Sequence, residues 1–262
     1  MIPQNYLREW AAHAPWKSES MVEQDLVISR SLVMLFSNAT LAQCLAFRGG
    51  TALHKLHLAP ASRYSEDIDL VQREAGPIGP VFDALRVALD PLLGKPQRKQ
   101  GPGVVTLTYR VAGTSALSPV LRMKVEINSR EHFTVLGPES RPFRVSSRWF
   151  EGDCAVATYR LEELLGTKLR ALYQRRKGRD LFDLWMGLTV GKAEPSLIVQ
   201  CFRQYMQATG AAVSEREYRR NMEAKMQHPD FIHDTDDLLR PEISFDIARA
   251  YAVLDREVLP LL

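Results

Sequence analysis

From residue 21 to residue 36 the apolar side chains Met21, Val22, Leu26, Val27, Ile28, Leu32, Val33, Leu35 and Phe36 recur at helical spacing. That period predicts a helix. Ser18 or Ser20 can cap its start, with Glu23 three residues beyond Ser20 as in a capping box. Residues 1–15 read as an arm or short helix ending near Pro15. After the long helix the pattern predicts a short helix at 40–46, a strand at 45–48, a short helix at 51–58 and a second strand at 67–71. Residues 81–93 return to helical spacing and stop at the breakers Gly94 and Pro96, and 95–103 reads as a basic loop.

Two further strands are expected at 104–111 and 119–128, joined by a loop around Gly113. In the second, Leu121, Met123, Val125 and Ile127 alternate with Arg122, Lys124, Glu126 and Asn128, so one face is apolar and the other charged. A short strand at 155–157 precedes Tyr159. Beyond it the periodic segments are helical, at 161–173, 180–188, 195–206, 215–226 and 243–259. The expected fold is α+β. A mixed β-sheet with flanking helices occupies 1–158, and a C-terminal helical bundle occupies 159–262, with some of its residues completing the earlier site.

Composition narrows the function classes. With 45% hydrophobic and 25% charged residues over 262 positions, the chain has the balance of a soluble globular protein with a sizeable core. A net charge of +3 permits a nucleic-acid partner without demanding one. Cys44, Cys154 and Cys201 are dispersed and match neither a disulfide framework nor a zinc spacing. The start of the chain carries no signal-like apolar core, and no apolar run is long enough to span a bilayer. A cytoplasmic protein without a membrane partner is expected.

The candidate chemistry begins where a strand gives way to a helix, at Gly49-Gly50-Thr51. Glycines there allow close approach of a phosphate to the backbone, and the threonine hydroxyl can hold that phosphate or cap the helix. A plain turn with a threonine cap satisfies the same residues. No GxxxxGK[ST] phosphate loop is present. Asp67 and Asp69 alternate with Ile68 on the second strand, so both carboxylates share a face. Such a pair suits a hard divalent cation, and it also suits the solvent-facing side of an edge strand. Glu126 is a third carboxylate for a base or a metal ligand, or equally a surface acid paired with Lys124 or Arg122.

Lys168 falls in the middle of the apolar stripe Leu161, Leu164, Leu165 and Leu172 at about 100° per residue. A lysine there must snorkel or reach an anion, and a phosphate is the favoured anion. Asp180 lies in the first turn of the next helix, with Asp183 on the same side. Arg170, Arg175, Arg176, Lys177 and Arg179 form a basic run that reads either as a solvated helix end or as a nucleic-acid backbone contact. The six histidines show no ligand spacing.

Taken jointly, Phe47-Arg48-Gly49-Gly50-Thr51-Ala52-Leu53-His54-Lys55, Arg63-Tyr64-Ser65-Glu66-Asp67-Ile68-Asp69-Leu70, and Lys168 with Arg179-Asp180-Leu181-Phe182-Asp183 resemble the AbiEii/AbiGii (MenT-like) toxin family of DNA polymerase β-type nucleotidyltransferases. The resemblance implies that Gly49, Gly50 and Thr51 hold the triphosphate, with Lys55, Arg63 and Ser65 as further nucleotide contacts. It implies that Asp67 and Asp69 bind Mg²⁺, that Lys168 contacts the phosphates and that Asp180 belongs to the catalytic set. Glu126 comes from strand alternation and not from the family pattern. The resemblance further implies transfer of NMP from an NTP to an acceptor hydroxyl, with the 3′ end of tRNA as the leading acceptor. A protein or small-molecule acceptor, or a non-catalytic NTP- or RNA-binding member, is the alternative. A cognate antitoxin is the implied protein partner.

Overall fold

A computed structural model describes residues 2–114 and 119–262 of the chain. Part of the predicted connection between the third and fourth expected strands, at 115–118, lies outside the described residues.

The chain divides into two compact units. One comprises the residues up to Phe133 together with Pro138–Tyr159; the other comprises Thr134–Gly137 and Arg160–Leu262. In the first, α1 (Gln4–Ala11) leads into α2 (Glu19–Phe36). The Ser18 side chain caps α2 by accepting from the amide of Met21. The alternative box from Ser20 does not form, because Glu23 is buried and accepts instead from the amide and hydroxyl of Thr114. Leu26, Ile28 and Leu32 are fully buried in α2. Truncating any one of them to alanine costs about 2–5 kcal/mol.

A seven-stranded sheet forms in the order β3-β4-β5-β2-β1-β7-β6. Its strands are β1 (Leu45–Arg48), β2 (Asp67–Gln72), β3 (Gln97–Gly101), β4 (Val104–Ala112), β5 (Val120–Asn128), β6 (Pro138–Ser146) and β7 (Glu151–Tyr159). β2 runs antiparallel to β1 and parallel to β5, and β1 runs parallel to β7. The short helices α3 (Ala39–Cys44) and α4 (Gly49–Ala52) flank β1, and a π-helical turn (Leu53–His57) continues α4. Helix α5 (Gly79–Leu93) packs on β4 and on α2 and α3, while α2 also packs on β5 and β7. Ile68 and Leu70 of β2 and Met123, Val125 and Ile127 of β5 are buried, as period-two alternation requires.

The second unit is helical, with α6 (Leu161–Gln174), α7 (Gly178–Thr189), α8 (Pro195–Gln207), α9 (Glu215–Lys225), α10 (Pro229–Ile232) and α11 (Ile247–Glu257). Helix α6 packs on α7 and α8, and α7 on α11. The ammonium of Lys225 closes the C-terminal turn of α6 by donating to the carbonyls of Leu172 and Tyr173. The buried Glu163 carboxylate accepts from the amides of Val135 and Leu136 and from the hydroxyls of Thr134 and Tyr205, tying residues 134–137 to α6.

Three expectations need correction. The basic stretch at 95–103 is not simply a loop, because Gln97–Gly101 pairs with β4 as the outermost strand. Its side chains are all exposed, so no hydrophobic alternation marks it. The strand expected at 155–157 lies within a nine-residue β7, whose hairpin partner β6 has no counterpart among the expected strands. Pro138, Glu139, Ser140, Arg141 and Pro142 open β6, and such residues are depleted from strand interiors. The last helix starts at Ile247, because the Asp246 side chain caps it by accepting from the amides of Ala248 and Arg249.

Candidate active site

Strand pairing in the first unit sets the chemistry. In the β2–β5 register, Asp67 lies opposite Lys124 and Asp69 opposite Glu126. On the other side of β2, Asp69 lies opposite Arg48. Side chains opposite each other in neighbouring strands share a face. Asp67, Asp69, Glu126, Lys124 and Arg48 therefore occupy one face of the sheet, with Ile68 and Val125 on the other.

The glycine turn closes over this face. Gly49 has φ +79°, in the left-handed region, and a Cβ built there would sit 2.1 Å from Oδ2 of Asp69. Only glycine permits both the dihedral and that approach. At Gly50 a Cβ would lie 2.5 Å from Nη2 of Arg63 and 3.1 Å from Oγ of Ser65. The hydroxyl of Thr51 donates to the Asp67 carbonyl at 2.6 Å and meets Oγ of Ser65 at 2.8 Å. Thr51 thereby fastens the turn to the start of β2. Arg63 is buried, and its Nη1 donates to the Tyr64 carbonyl at 2.8 Å. Gly49, Gly50, Thr51, Arg63, Ser65, Asp67, Asp69 and Glu126 are thus assembled in one region of the first unit.

The pairing of Glu126 with Lys124 that the sequence offered as the alternative is formed, and Lys124 also approaches Asp67, which alternation alone did not reveal. Its Nζ lies 2.9 Å from Glu126 and 3.7 Å from Asp67. Burial opposes its charge, but the hydrogen bond to Glu126 and the charge of Asp67 outweigh that, and its pKa is raised. Arg48 pairs with Glu131. Burial opposes the guanidinium charge as well, and Glu131, with a smaller contribution from Asp69, overcomes it, so the Arg48 pKa is raised.

Lys55 points elsewhere. Its Nζ lies 2.9 Å from Oδ2 of Asp25 and 3.0 Å from Oγ of Ser29, both on α2. Asp25 also accepts from the indole of Trp10. A carboxylate among the apolar positions of α2 was the available sign of such a partner.

In the second unit Lys168 reaches an anion, and that anion belongs to the chain. Its Nζ lies 3.0 Å from Asp180 and 2.8 Å from Asp183, both fully buried. Arg175 donates to both oxygens of Asp180 at 2.7 and 2.8 Å. Burial pushes the Asp180 carboxyl up, but Lys168 and Arg175 outweigh it and hold its pKa below the ordinary value. The spacing Asp180/Asp183 was the signal for the second carboxylate. The rest of the basic run is partly engaged. Asp234 accepts from the amide of Arg179 at 3.1 Å and lies 3.4 Å from Nζ of Lys177. The Arg170 guanidinium stacks over the Tyr205 ring at 5.0 Å. Arg176 is exposed.

Asp67 and Asp69 offer hard oxygen donors on one face, with Glu126 beside them. Among the described residues, no three histidine, cysteine or acidic side chains converge into a ready-made metal cage. A pair of carboxylates that shares its cation with substrate phosphates is the usual Mg²⁺ arrangement, so the residues fit such an ion.

The family model for the nucleotidyl transferase AbiEii toxin of type IV toxin–antitoxin systems matches residues 30–252. The chain belongs to this family. It is accordingly a nucleotidyltransferase toxin, a class that acts on an NTP and is held in check by a cognate antitoxin. Its fold is similar to that of MenT4, a nucleotidyltransferase toxin from Mycobacterium tuberculosis H37Rv, with a TM-score of 0.65 at 18% identity over 100% of this chain and 91% of the other. It is also similar to JHP933 from Helicobacter pylori, with a TM-score of 0.57 at 17% identity over 91% of this chain and 90% of the other. Comparison with curated protein sequences gives no match. Among the described residues no helix is long and apolar enough to cross a membrane.

Proposed function

We propose that this AbiEii-family chain transfers NMP from an NTP to the 3′ end of tRNA in the cytoplasm, with Mg²⁺: the tRNA hydroxyl attacks the α-phosphate and pyrophosphate leaves. The observation that carries the reading is the shared face of Asp67, Asp69 and Glu126 beneath a glycine turn whose backbone lies against Asp69. Amides of the Gly49–Thr51 turn and the buried Arg63 would hold the triphosphate, since such groups suit phosphate oxygens. Asp67 and Asp69 would hold the metal. When bound, Mg²⁺ supplies charge neutralisation to the phosphates during in-line displacement.

Glu126 would accept the proton of the attacking hydroxyl or serve as a further metal ligand. Its Oε2 is engaged by Lys124, which leaves Oε1 for either role. Lys168 and Asp180 remain proposed members of the catalytic set, and Asp183 joins them through its contact with Lys168. Ser65 positions Thr51. Lys55 is assigned to positioning the turn through Asp25 and not to direct nucleotide contact.

The test is incubation of the protein with total RNA, Mg²⁺ and each α-labelled NTP in turn. Label is expected in the tRNA band and is lost with Asp67→Ala. Label on protein alone, or no label with any of the NTPs, overturns the tRNA assignment.

A further inference from the structure

The sequence offered residues 170–179 and the basic stretch 95–99 as the path for RNA, yet Arg175, Lys177 and Arg179 make ion pairs within their own unit. A broader basic surface, which takes in Lys99, adjoins the carboxylates directly. We propose that the open face of β3, β4 and β5 is the track along which the acceptor's phosphodiester chain approaches Asp67 and Asp69. The proposal rests on a nucleic-acid acceptor and names the surface that binds it.

The register defines that face. Glu126 lies opposite Thr106, Lys124 opposite Thr108 and Arg122 opposite Arg110, while Thr106 lies opposite Lys99 on its other side. Residues in direct opposition project to the same side of a sheet. Lys99, Arg110, Arg122 and Lys124 are therefore cations of one face, with the hydroxyls of Thr106 and Thr108 among them. Lys99, Arg110 and Arg122 are exposed. The opposite face is the packed one, where α5 covers β4 and the Arg98 guanidinium lies over the Phe82 ring at 4.2 Å. Adjacent positions of β3 thus separate cleanly, with Arg98 toward the helices and Lys99 toward the open side.

The charges on this face are graded. Among the described residues of β3, β4 and β5, Glu126 is the acid of the open side, and it sits at the border with β2. Going away from the carboxylates along β5, Lys124 and then Arg122 follow at alternate positions. Four residues of strand separate Glu126 from Arg122, about 13 Å, over which a stacked strand presents about four phosphates. A nucleic-acid end matches this gradient. Its terminal hydroxyl carries no charge and can lie by the acids, while its phosphates lie over the cations. Arginines bind phosphate oxygens in pairs of hydrogen bonds, and threonine hydroxyls reach phosphate and sugar oxygens.

The test compares the full-length wild type, Arg110→Ala/Arg122→Ala and Arg110→Lys/Arg122→Lys. Each is measured for tRNA binding over a salt series and for the KM and kcat of NMP transfer to tRNA. All three should melt together, because both positions are exposed. The alanine pair should flatten the slope of log affinity against log salt by about 1.4, the value for two lost phosphate contacts on a single strand. Its KM for RNA should rise several-fold with little change in kcat, and the lysine pair should restore most of the slope. If wild type labels tRNA while the alanine pair keeps both the slope and the KM, the track is overturned and nucleotidyl transfer to RNA stands. If wild type labels a protein and no RNA, the track and the RNA acceptor both fall, and only the nucleotidyltransferase remains.

Discussion

Gly49 shows how much one residue can carry. Its φ of +79° and the 2.1 Å approach of a hypothetical Cβ to Asp69 make two independent demands for glycine. Gly49→Ala should therefore move Asp69 as well as strain the turn. The dihedral alone costs about 1–2 kcal/mol. We expect thermal denaturation to register at least that loss, and labelled-NTP assays to show transfer reduced far beyond what the lost stability explains. Full activity in a destabilised Gly49→Ala protein would separate the turn from the chemistry. Glu126 illustrates the opposite case. Alternation put it on the charged face beside Lys124, but its neighbour Asp69 became known only with the β2–β5 register. A strand's own sequence specifies which way each side chain points, not which strand lies beside it.

Helices α6 and α7 are joined by a charged cluster where apolar packing would be usual. Lys168 stands between two fully buried carboxylates, and Arg175 shares one of them. Removing one partner from such a cluster leaves an uncompensated buried charge, worth about 3–5 kcal/mol. Lys168→Met should lower the unfolding free energy by that order in chemical denaturation, and Lys168→Met/Asp183→Asn should recover part of it. An unchanged denaturation midpoint for Lys168→Met would show that the cluster contributes nothing to stability. The consequence for activity assays is direct, since a Lys168 variant tests folding along with chemistry. The sequence had placed Lys168 on the apolar stripe and required an anion for it. Two of the nearest acids, twelve and fifteen residues on, satisfy that requirement.

At the scale of the whole molecule, stability and pH are linked through His57. Burial, and then the Arg141 guanidinium whose Nη2 lies 3.1 Å from Nδ1, lower its pKa from 6.5 to about 4. The unfolded chain then binds a proton near pH 6.5 that the fold refuses until about pH 4. Stability is therefore complete above pH 6.5 and declines as pH falls toward 4, by at most about 3 kcal/mol. Asp180, whose pKa is held below its ordinary value, adds its own loss at still lower pH, as its carboxylate is protonated. In His57→Gln the decline between pH 6.5 and 4 should shrink, as read from denaturation midpoints across that range. An identical profile in wild type and variant would remove His57 as its source.

The periodic segments α2, α5, β2, β4, β5, α6, α7, α8, α9 and α11 were legible because burial imposes a period of 3.6 or 2 on the residues that face the core, whereas the one-turn α10 is too short to show a period. The glycine turn and the Asp67/Asp69 pair were legible for a related reason, being local patterns of a few consecutive residues. What local pattern could not carry was partnership. β3 and β6 bury little and leave no period to read. Lys55 turned to Asp25, and Lys124 to Asp67 beside the Glu126 that the sequence offered it, because oppositely charged groups take the nearest available partner. Which partner is nearest is a property of strand order and helix packing, and those are decided only when the distant parts of the chain meet.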